Sequence, residues 1–295
     1  MPIRHRICAS LSAFTVLLFL PVAVPFGKPA LLAAEPDPAP VPATAESVDP
    51  DVLRKVRKLV KGTLSEIEGE RETAWKGLKD MGNLAVPGLL GLYHQKETTP
   101  EMVRSILIAF GDSKDMRAGP ALVEMLESKE PSIRRDAARS LGESGYPAGR
   151  KALEKVAGNE KEDEEVRLFA AVAAAKLGGE SGLAVLAALL KSAKPEIRSR
   201  AVFGLGKHGG VAQVPVIESA LGDSERDVRE DAIGALRALG KKECWGPLVK
   251  ATADNDYKIR SAAMDALQEL TKAHVDNTPK AWQEWWAKQG DSGKQ

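Results

Sequence analysis

The sequence predicts an all-α protein in which about seven helix pairs stack into an α-solenoid that ends in a tryptophan-rich capping helix. Its 295 residues are 43% hydrophobic and 28% charged but only 5% aromatic, which is typical of alanine- and leucine-rich helices. A short pattern returns every 31 to 33 residues, and glycines divide each unit at a constant distance. One helix pair cannot bury its apolar face alone, so stacked neighbours must supply the core.

Each unit is marked by a β-branched residue followed by arginine, and this β-branched residue is termed the anchor. Five anchors are spaced by 33, 31, 31 and 31 residues: Ile133, Val166, Ile197, Val228 and Ile259. Four residues after them stand Ala137, Ala170, Ala201, Ala232 and Ala263. Eight residues after them stand Leu141, Ala174, Leu205, Leu236 and Leu267. Offsets 0, 4 and 8 lie on one helical face, where alanine permits close approach of a neighbouring helix.

A glycine twelve residues after the anchor predicts the end of the first helix of a unit, because a helix C-terminus favours a residue that tolerates positive φ. These glycines are Gly145, Gly178, Gly209 and Gly240. Twenty residues after the anchor, the predicted second helices carry Leu153, Leu186, Ile217 and Leu248. Two less regular units precede them, one with Glu70 at its anchor and one anchored on Val103 with Gly111 where leucine is expected.

Residues 1–34 predict a secretory signal peptide. Arg4 and Arg6 form a basic start, and the apolar run that follows is interrupted by Pro21. That run is shorter than the ~20 residues of a spanning helix, so we expect export to a periplasmic or extracellular compartment, with no membrane span after cleavage. An uncleaved membrane anchor is the alternative.

Residues 35–50 predict a solvated linker, because they are rich in proline and alanine and poor in large apolar side chains. The solenoid is then expected over 51–290. It begins with an amphipathic helix over 51–67, whose apolar side chains recur at helical spacing.

The C-terminal segment predicts a final helix over about 279–288, with Thr278 as N-cap and proline at the first helical position. Trp282, Trp285 and Trp286 fall at i, i+3 and i+4 on one face of that helix. They are interpreted either as a lid that closes the last repeat or as an exposed aromatic platform for a partner.

An arginine column follows the anchors, and it has two interpretations. In the structural one, the arginines pair with carboxylates of the preceding inter-repeat loop, as in Asp223 before Arg229 and Asp254 before Arg260. In the functional one, the column is an anion-binding ridge. The column comprises Arg104, Arg134, Arg167, Arg198, Arg229 and Arg260.

Several classes of function find no support in the sequence. The formal net charge is +1, or −2 without residues 1–34, which gives no general electrostatic reason to bind nucleic acid. His94, His208 and His274 lie far apart and outside any metal-binding motif. Catalytic signatures are missing, so we expect no cofactor, no metal and no enzymatic activity. Cys244 is expected to be a small buried residue.

Two strings carry a resemblance to a known family: PEIRSRAVFGLGKHGG over 195–210 and RDVREDAIGALRALGKKE over 226–243. They resemble HEAT repeats, specifically the short variety of phycobilisome-lyase-like proteins, and the resemblance extends over about 70–273. It implies a right-handed superhelix with its second helices on the concave side. It also implies that such arrays serve mostly as binding scaffolds.

The function expected from these observations is that of an exported, non-enzymatic and monomeric scaffold, which binds an unidentified protein through its concave surface. The candidate contacts are Arg150, Glu154, Gln213, Glu218, Trp282, Trp285 and Trp286. Two alternatives remain. The resemblance implies a chromophore lyase or chaperone, and the proline-rich linker suits a structural protein of the cell envelope.

Overall fold

A computed structural model of the chain describes residues 48–291. The predicted signal peptide and nearly all of the predicted linker lie outside the described residues. Within them the fold is all-α, as predicted, and contains fifteen α-helices: α1 (Pro50–Gly62), α2 (Glu68–Met81), α3 (Val86–Tyr93), α4 (Pro100–Ser113), α5 (Gly119–Met125), α6 (Pro131–Ser144), α7 (Arg150–Gly158), α8 (Glu164–Lys176), α9 (Glu180–Leu189), α10 (Pro195–His208), α11 (Val214–Ala220), α12 (Arg226–Leu239), α13 (Trp245–Ala251), α14 (Tyr257–Thr271) and α15 (Pro279–Asp291).

The helices form seven successive pairs, from α2 with α3 to α14 with α15. The first helices stack in one row, in which α2, α4, α6, α8, α10, α12 and α14 each contact the next. The second helices are α3, α5, α7, α9, α11, α13 and α15. Helix α1 precedes the array and packs on α2 and α3. The predicted solenoid of about seven pairs is therefore confirmed over the described residues.

The first helix is shorter than predicted, since α1 ends at Gly62 and not at Ile67. Val56 and Val60 are fully buried, whereas Ile67 is 61% exposed in the turn that follows. The apolar face predicted for this helix is correct, and its end differs because the chain must turn into α2.

The buried positions follow the predicted repeat closely. The anchors and the residues at offsets 4, 8 and 20 in the five regular units are at most 7% exposed. The sequence reading missed a second column of small residues, which joins adjacent first helices. A Cβ atom on Gly142 would lie 2.8 Å from Cβ of Ala173, and one on Gly206 would lie 2.5 Å from Cβ of Ala235. These small residues set the spacing of the row.

The second unit is anchored on Met102 and not on Val103. Met102 is 5% exposed, and Ile106 and Phe110, at offsets 4 and 8, are fully buried. Lys114 at offset 12 has φ of 52°, in the place that glycine takes elsewhere. The shift arises because α4 and α6 both begin at a proline, which places Met102 level with Ile133.

Three of the four predicted turn glycines are confirmed, since Gly145, Gly178 and Gly240 have φ of 71°, 80° and 63°. The prediction is wrong for Gly209, whose φ is −86°. There the turn is extended, and the side-chain oxygen of Gln213 accepts a hydrogen bond from the next backbone amide, Gly210 N, at 2.7 Å.

Candidate functional site

The arginine column is a set of ion pairs between neighbouring repeats. Arg198 donates from Nε and Nη2 to the two carboxylate oxygens of Asp223, at 2.7 and 2.8 Å. Arg134 holds Glu162 in the same forked manner, with Nε to Oε2 at 2.9 Å. Nε of Arg229 lies 3.0 Å from Oδ2 of Asp254. These side chains are 10 to 17% exposed, so the pairs are partly sheltered from solvent.

The direction of this pairing differs from the prediction. Arg134, Arg198 and Arg229 each meet a carboxylate of the loop that follows their repeat, not of the loop that precedes it. Toward the preceding loop the column donates to backbone carbonyls: Arg229 Nη1 to Asp223 O at 2.9 Å, and Arg260 Nη1 to Asp254 O at 2.7 Å. One guanidinium has enough donors to reach both loops at once. An arginine of the column that has a carboxylate partner therefore joins its own helix to the loop before it and to the loop after its repeat. At these positions the column has a structural role.

The ion pairs change the titration of their acids. Hydrogen bonds from Arg198 hold the pKa of Asp223 below its usual range. Hydrogen bonds from Arg134 likewise lower the pKa of Glu162. Both carboxylates are thus ionised at neutral pH, as the partners of an arginine ion pair must be. The arginine column with its carboxylate partners is termed the ladder.

The first two units also correct the membership of the column. Arg71 takes the ladder place in the first pair, where its Nη1 donates to the carbonyls of Ser65 and Glu66 at 2.8 and 2.9 Å. Arg104 is outside the column, because its Nε lies 3.4 Å from Oδ2 of the buried Asp136. The shifted register of α4 explains the difference, since Val103 occupies the ladder position there.

Two arginines of the regular units, Arg167 and Arg260, have no carboxylate partner among the described residues. Arg260 belongs to the last repeat, whereas Arg167 lies within the array. Nε of Arg167 donates to the carbonyl of Ala157 at 3.1 Å. Twenty-five residues after Arg198 and Arg229 stand Asp223 and Asp254, whereas twenty-five residues after Arg167 stands Ser192. A serine cannot form the ion pair, so the ladder is interrupted at this step.

The predicted partner contacts on the second helices lie at or near the surface. Arg150 and Glu154 are 44% and 29% exposed and lie 4.0 Å apart on α7. Gln213 is half-buried and engaged in the Gly209 turn. Glu218 of α11 is 32% exposed and accepts from Lys250 of α13 at 2.6 Å. Gln213 lies in the turn before α11 and the other three on second helices, and the structure does not bring the four residues together in one pocket.

Helix α9 gives the second-helix row its distinctive feature. Neighbouring second helices carry exposed lysine–glutamate pairs, such as Lys250 with Glu218. At the corresponding positions α9 presents the exposed or half-buried Ala184, Ala187 and Ala188. A groove of about 450 Å³ runs between α9 and α11 beside these alanines. The sequence reading missed this surface, although the charge-poor string of α9 could have indicated it.

The tryptophan helix acts as a lid. Trp282 is fully buried, so its prediction as a partner contact is wrong. Trp285 lies 5.5 Å from Trp282 and 5.8 Å from Trp245, measured between ring centroids. Trp285 and Trp286 are only half-buried. Because α15 packs on both α13 and α14, it closes the last repeat in the place of a second helix.

A larger groove, of about 800 Å³, lies at the N-terminal end of the array. Val52 and Leu59 of α1 line it together with Met81 and Leu84, and Leu84 is 75% exposed. No residue predicted to contact a partner or to belong to the arginine column lies in this groove. Charged side chains, among them Asp80 and Arg117, complete its lining.

The described part of the chain shows neither a metal-binding cluster nor an exposed cysteine thiol. Among residues 48–291, no group of three or more His, Cys, Asp or Glu side chains is arranged to hold a metal ion. Cys244 is fully buried, as predicted, and burial raises the pKa of its thiol. Over the same residues, no helix combines the length and the apolar character needed to cross a membrane.

Stacked helix pairs tied by arginine ion pairs define an α-solenoid repeat protein. The HEAT-repeat family model matches residues 86–163, 119–206, 158–237 and 183–268, which together span well over half of the chain. The chain therefore belongs to the HEAT-repeat family, as the sequence strings predicted. No curated protein sequence matches it.

Solved structures with a related arrangement have low sequence identity to this chain. The complex of CpcE and CpcF of phycocyanin lyase from Nostoc sp. PCC7120 is 17% identical, with 84% of this chain and 96% of that chain covered and a TM-score of 0.45. YibA of Escherichia coli is 18% identical, with 73% and 81% covered and a TM-score of 0.46. Human deoxyhypusine hydroxylase in complex with glycerol is 18% identical, with 76% and 98% covered and a TM-score of 0.36. No functional argument follows from these likenesses.

Proposed function

We propose that this protein is an exported, non-enzymatic HEAT-repeat scaffold that binds another protein through its row of second helices. The observation that supports this most is the exposed alanine face of α9. It forms a charge-poor surface in the middle of the row, where the neighbouring helices α7, α11 and α13 carry residues of exposed lysine–glutamate pairs. A contiguous apolar area with a polar rim is the usual composition of a protein interface.

The groove between α9 and α11 gives this surface a shape. Leu183 and Ala187 line one side, and Gln213 and Val216 line the other. Apolar side chains of a partner would fill the groove, while Glu180, which also lines it, would contribute a polar contact. The stacked core fixes these helices before binding, which lowers the entropic cost of association.

Affinity capture from an envelope extract tests the proposal. The wild-type protein should retain a stoichiometric protein, and Ala184→Glu with Ala188→Glu should abolish retention by placing two charges on the apolar face. Ala238→Glu is the matched control, because Ala238 is an exposed alanine on a first helix. Equal retention by the α9 variant and the control would contradict the proposed surface. A chromophore transferred by the protein on mixing with bilins would contradict the non-enzymatic assignment.

Export is tested separately by N-terminal sequencing of the mature protein and by cell fractionation. The expected N-terminus lies near Glu35, with the protein outside the cytoplasm. An intact Met1 on protein found in the cytosol would contradict export and leave the binding surface unaffected.

A further inference from the structure

The interrupted step of the arginine ladder has the composition of a binding site. Asp223 and Asp254 stand twenty-five residues after their arginine partners Arg198 and Arg229, and Glu162 stands twenty-eight residues after Arg134. Twenty-five residues after Arg167 stands Ser192, which is 9% exposed. Its hydroxyl oxygen accepts from the backbone amide of Lys194 at 3.1 Å, so its proton is still available to an acceptor.

Arg167 has hydrogen-bond donors that no protein group in the described residues accepts. Its guanidinium makes one protein hydrogen bond within the described residues, from Nε to Ala157 O, so neither Nη group has a protein acceptor there. Arg198, by contrast, donates from all three of its nitrogens, with two hydrogen bonds to Asp223 and one to the carbonyl of Ser192. A half-buried guanidinium favours a bidentate carboxylate above other partners.

The charge on the Ser192 side of this step is positive, whereas the loop before Arg167, at 159–165, is acidic. The loop at 191–194 reads KSAK, whereas the equivalent loops at 222–225 and 253–256 read GDSE and ADND. Lys191 and Lys194 are exposed, and neither has an ion-pair partner in the described part of the chain. Over 181–217 the sequence has five Lys or Arg residues and a single acid, Glu196. A chain that is close to neutral as a whole thus concentrates cations on the Ser192 side of the interrupted step.

We propose that Arg167, Lys191, Lys194 and Ser192 form a binding site for a carboxylate of an acidic segment on a partner protein. The carboxylate takes the place that Asp223 fills beside Arg198 and Asp254 fills beside Arg229, and Arg167 holds it as Arg198 holds Asp223. The two lysines contribute attraction, and the Ser192 hydroxyl donates a further hydrogen bond. The site lies on the inter-repeat loops and not on the α9 face, so it does not depend on the proposed second-helix surface.

Ser192→Asp tests the site, because the introduced carboxylate would form an ion pair with Arg167 and exclude the ligand. Ser128→Asp is the matched control. Ser128 stands at the same place in its loop, and its hydroxyl also accepts from a backbone amide two residues on. Twenty-five residues before it stands Val103 instead of an arginine. Both variants add one negative charge, but only Ser192→Asp adds it beside an unpaired ladder arginine.

The measurement is calorimetric titration of the purified protein with a short polyglutamate peptide at low ionic strength, with polyglutamine as the neutral probe. Wild-type protein should bind polyglutamate and not polyglutamine. Ser192→Asp and Arg167→Gln should each weaken binding by about tenfold or more, while Ser128→Asp should stay within about twofold of wild type. Circular dichroism establishes that each variant is folded.

Three results would overturn the proposal. One is a wild-type protein that does not bind polyglutamate, and another is an equal loss of affinity in Ser192→Asp and Ser128→Asp, which would show a response to net charge alone. The third is displacement of polyglutamate by inorganic phosphate at a similar concentration of negative charge. The site would then bind anions in general and would not be selective for carboxylates.

Discussion

Arg198 and Asp223 belong to neighbouring elements of the array and form a forked ion pair, with Nε 2.7 Å from Oδ2 and Nη2 2.8 Å from Oδ1. The third nitrogen, Nη1, donates to the carbonyl of Ser192 at 2.9 Å. One side chain therefore ties the loop before its helix to the loop after its repeat. Both side chains are 12% exposed, which limits screening by solvent and salt.

The stability of the array should fall in acid because of such pairs. Hydrogen bonds from Arg198 lower the pKa of Asp223 in the folded state. The unfolded chain therefore binds more protons than the folded one as pH falls through the carboxylate range, below about pH 5. Stability is fully present above the unfolded pKa and is lost as pH falls through the folded one. Urea midpoints between pH 3 and 7 should show this decline, and Asp223→Asn should show a shallower one. Identical pH profiles for the two proteins would contradict the assignment.

Completing the ladder should stabilise the protein. Ser192→Asp places a carboxylate twenty-five residues after Arg167, the separation of Arg198 from Asp223. We expect a gain of about 0.2–1 kcal/mol in the free energy of unfolding, the usual range for a partly exposed ion pair. Thermal and urea unfolding measure it. Ser128→Asp should give no gain, and an equal gain in both variants would show that loop chemistry and not Arg167 is responsible.

Two helical glycines should respond to alanine in opposite directions. In α10, a Cβ on Gly206 would lie 2.5 Å from Cβ and 2.6 Å from Cα of Ala235, so Gly206→Ala should destabilise by about 1–3 kcal/mol through overpacking. In α12, a Cβ on Gly234 would meet no atom within 4 Å. Gly234→Ala should therefore stabilise by about 0.5–1 kcal/mol, because alanine is the better helix former. Thermal unfolding of both variants checks the pair, and changes of the same sign would contradict the described packing of α10 on α12.

Loss of the buried tryptophan should release the C-terminal lid. Trp282 is fully buried, so Trp282→Ala should cost about 3–5 kcal/mol of the free energy that holds α15 on the array. Limited proteolysis should then remove the C-terminal helix early. Trp286→Ala, at a half-buried position, should have a smaller effect. Equal protease resistance in wild type and Trp282→Ala would show that α15 is held by other contacts.

Much of the fold was accessible from periodicity, because burial on one helical face leaves a pattern in the sequence. Val228, Ala232 and Leu236 are predicted on that face and are at most 1% exposed. The register of α4 was misassigned, since Val103 with Arg104 imitates an anchor while Met102 is the buried residue. A β-branched residue followed by arginine is a local pattern, and the proline that begins the helix decides which residue faces the core.

The candidate sites were less accessible because they depend on contacts between repeats. The ladder residues Arg229 and Asp254 were both identified, but their pairing was not. The interruption at Arg167 becomes visible only once the correct direction of pairing is known. Similarly, the three alanines of α9 have the sequence of a core helix, and their exposure follows from the neighbours that α9 has on each side.

The sequence by itself determined the architecture and the buried face of each unit, because both follow from residues that recur at helical spacing and at a period of 31 residues. Only the tertiary structure decided which loop each arginine holds and whether Trp282 closes the array or faces solvent. These outcomes depend on the packing of one repeat against the next, where a side chain can reach either of two neighbours. Local spacing does not distinguish the two, but the stacked helices do.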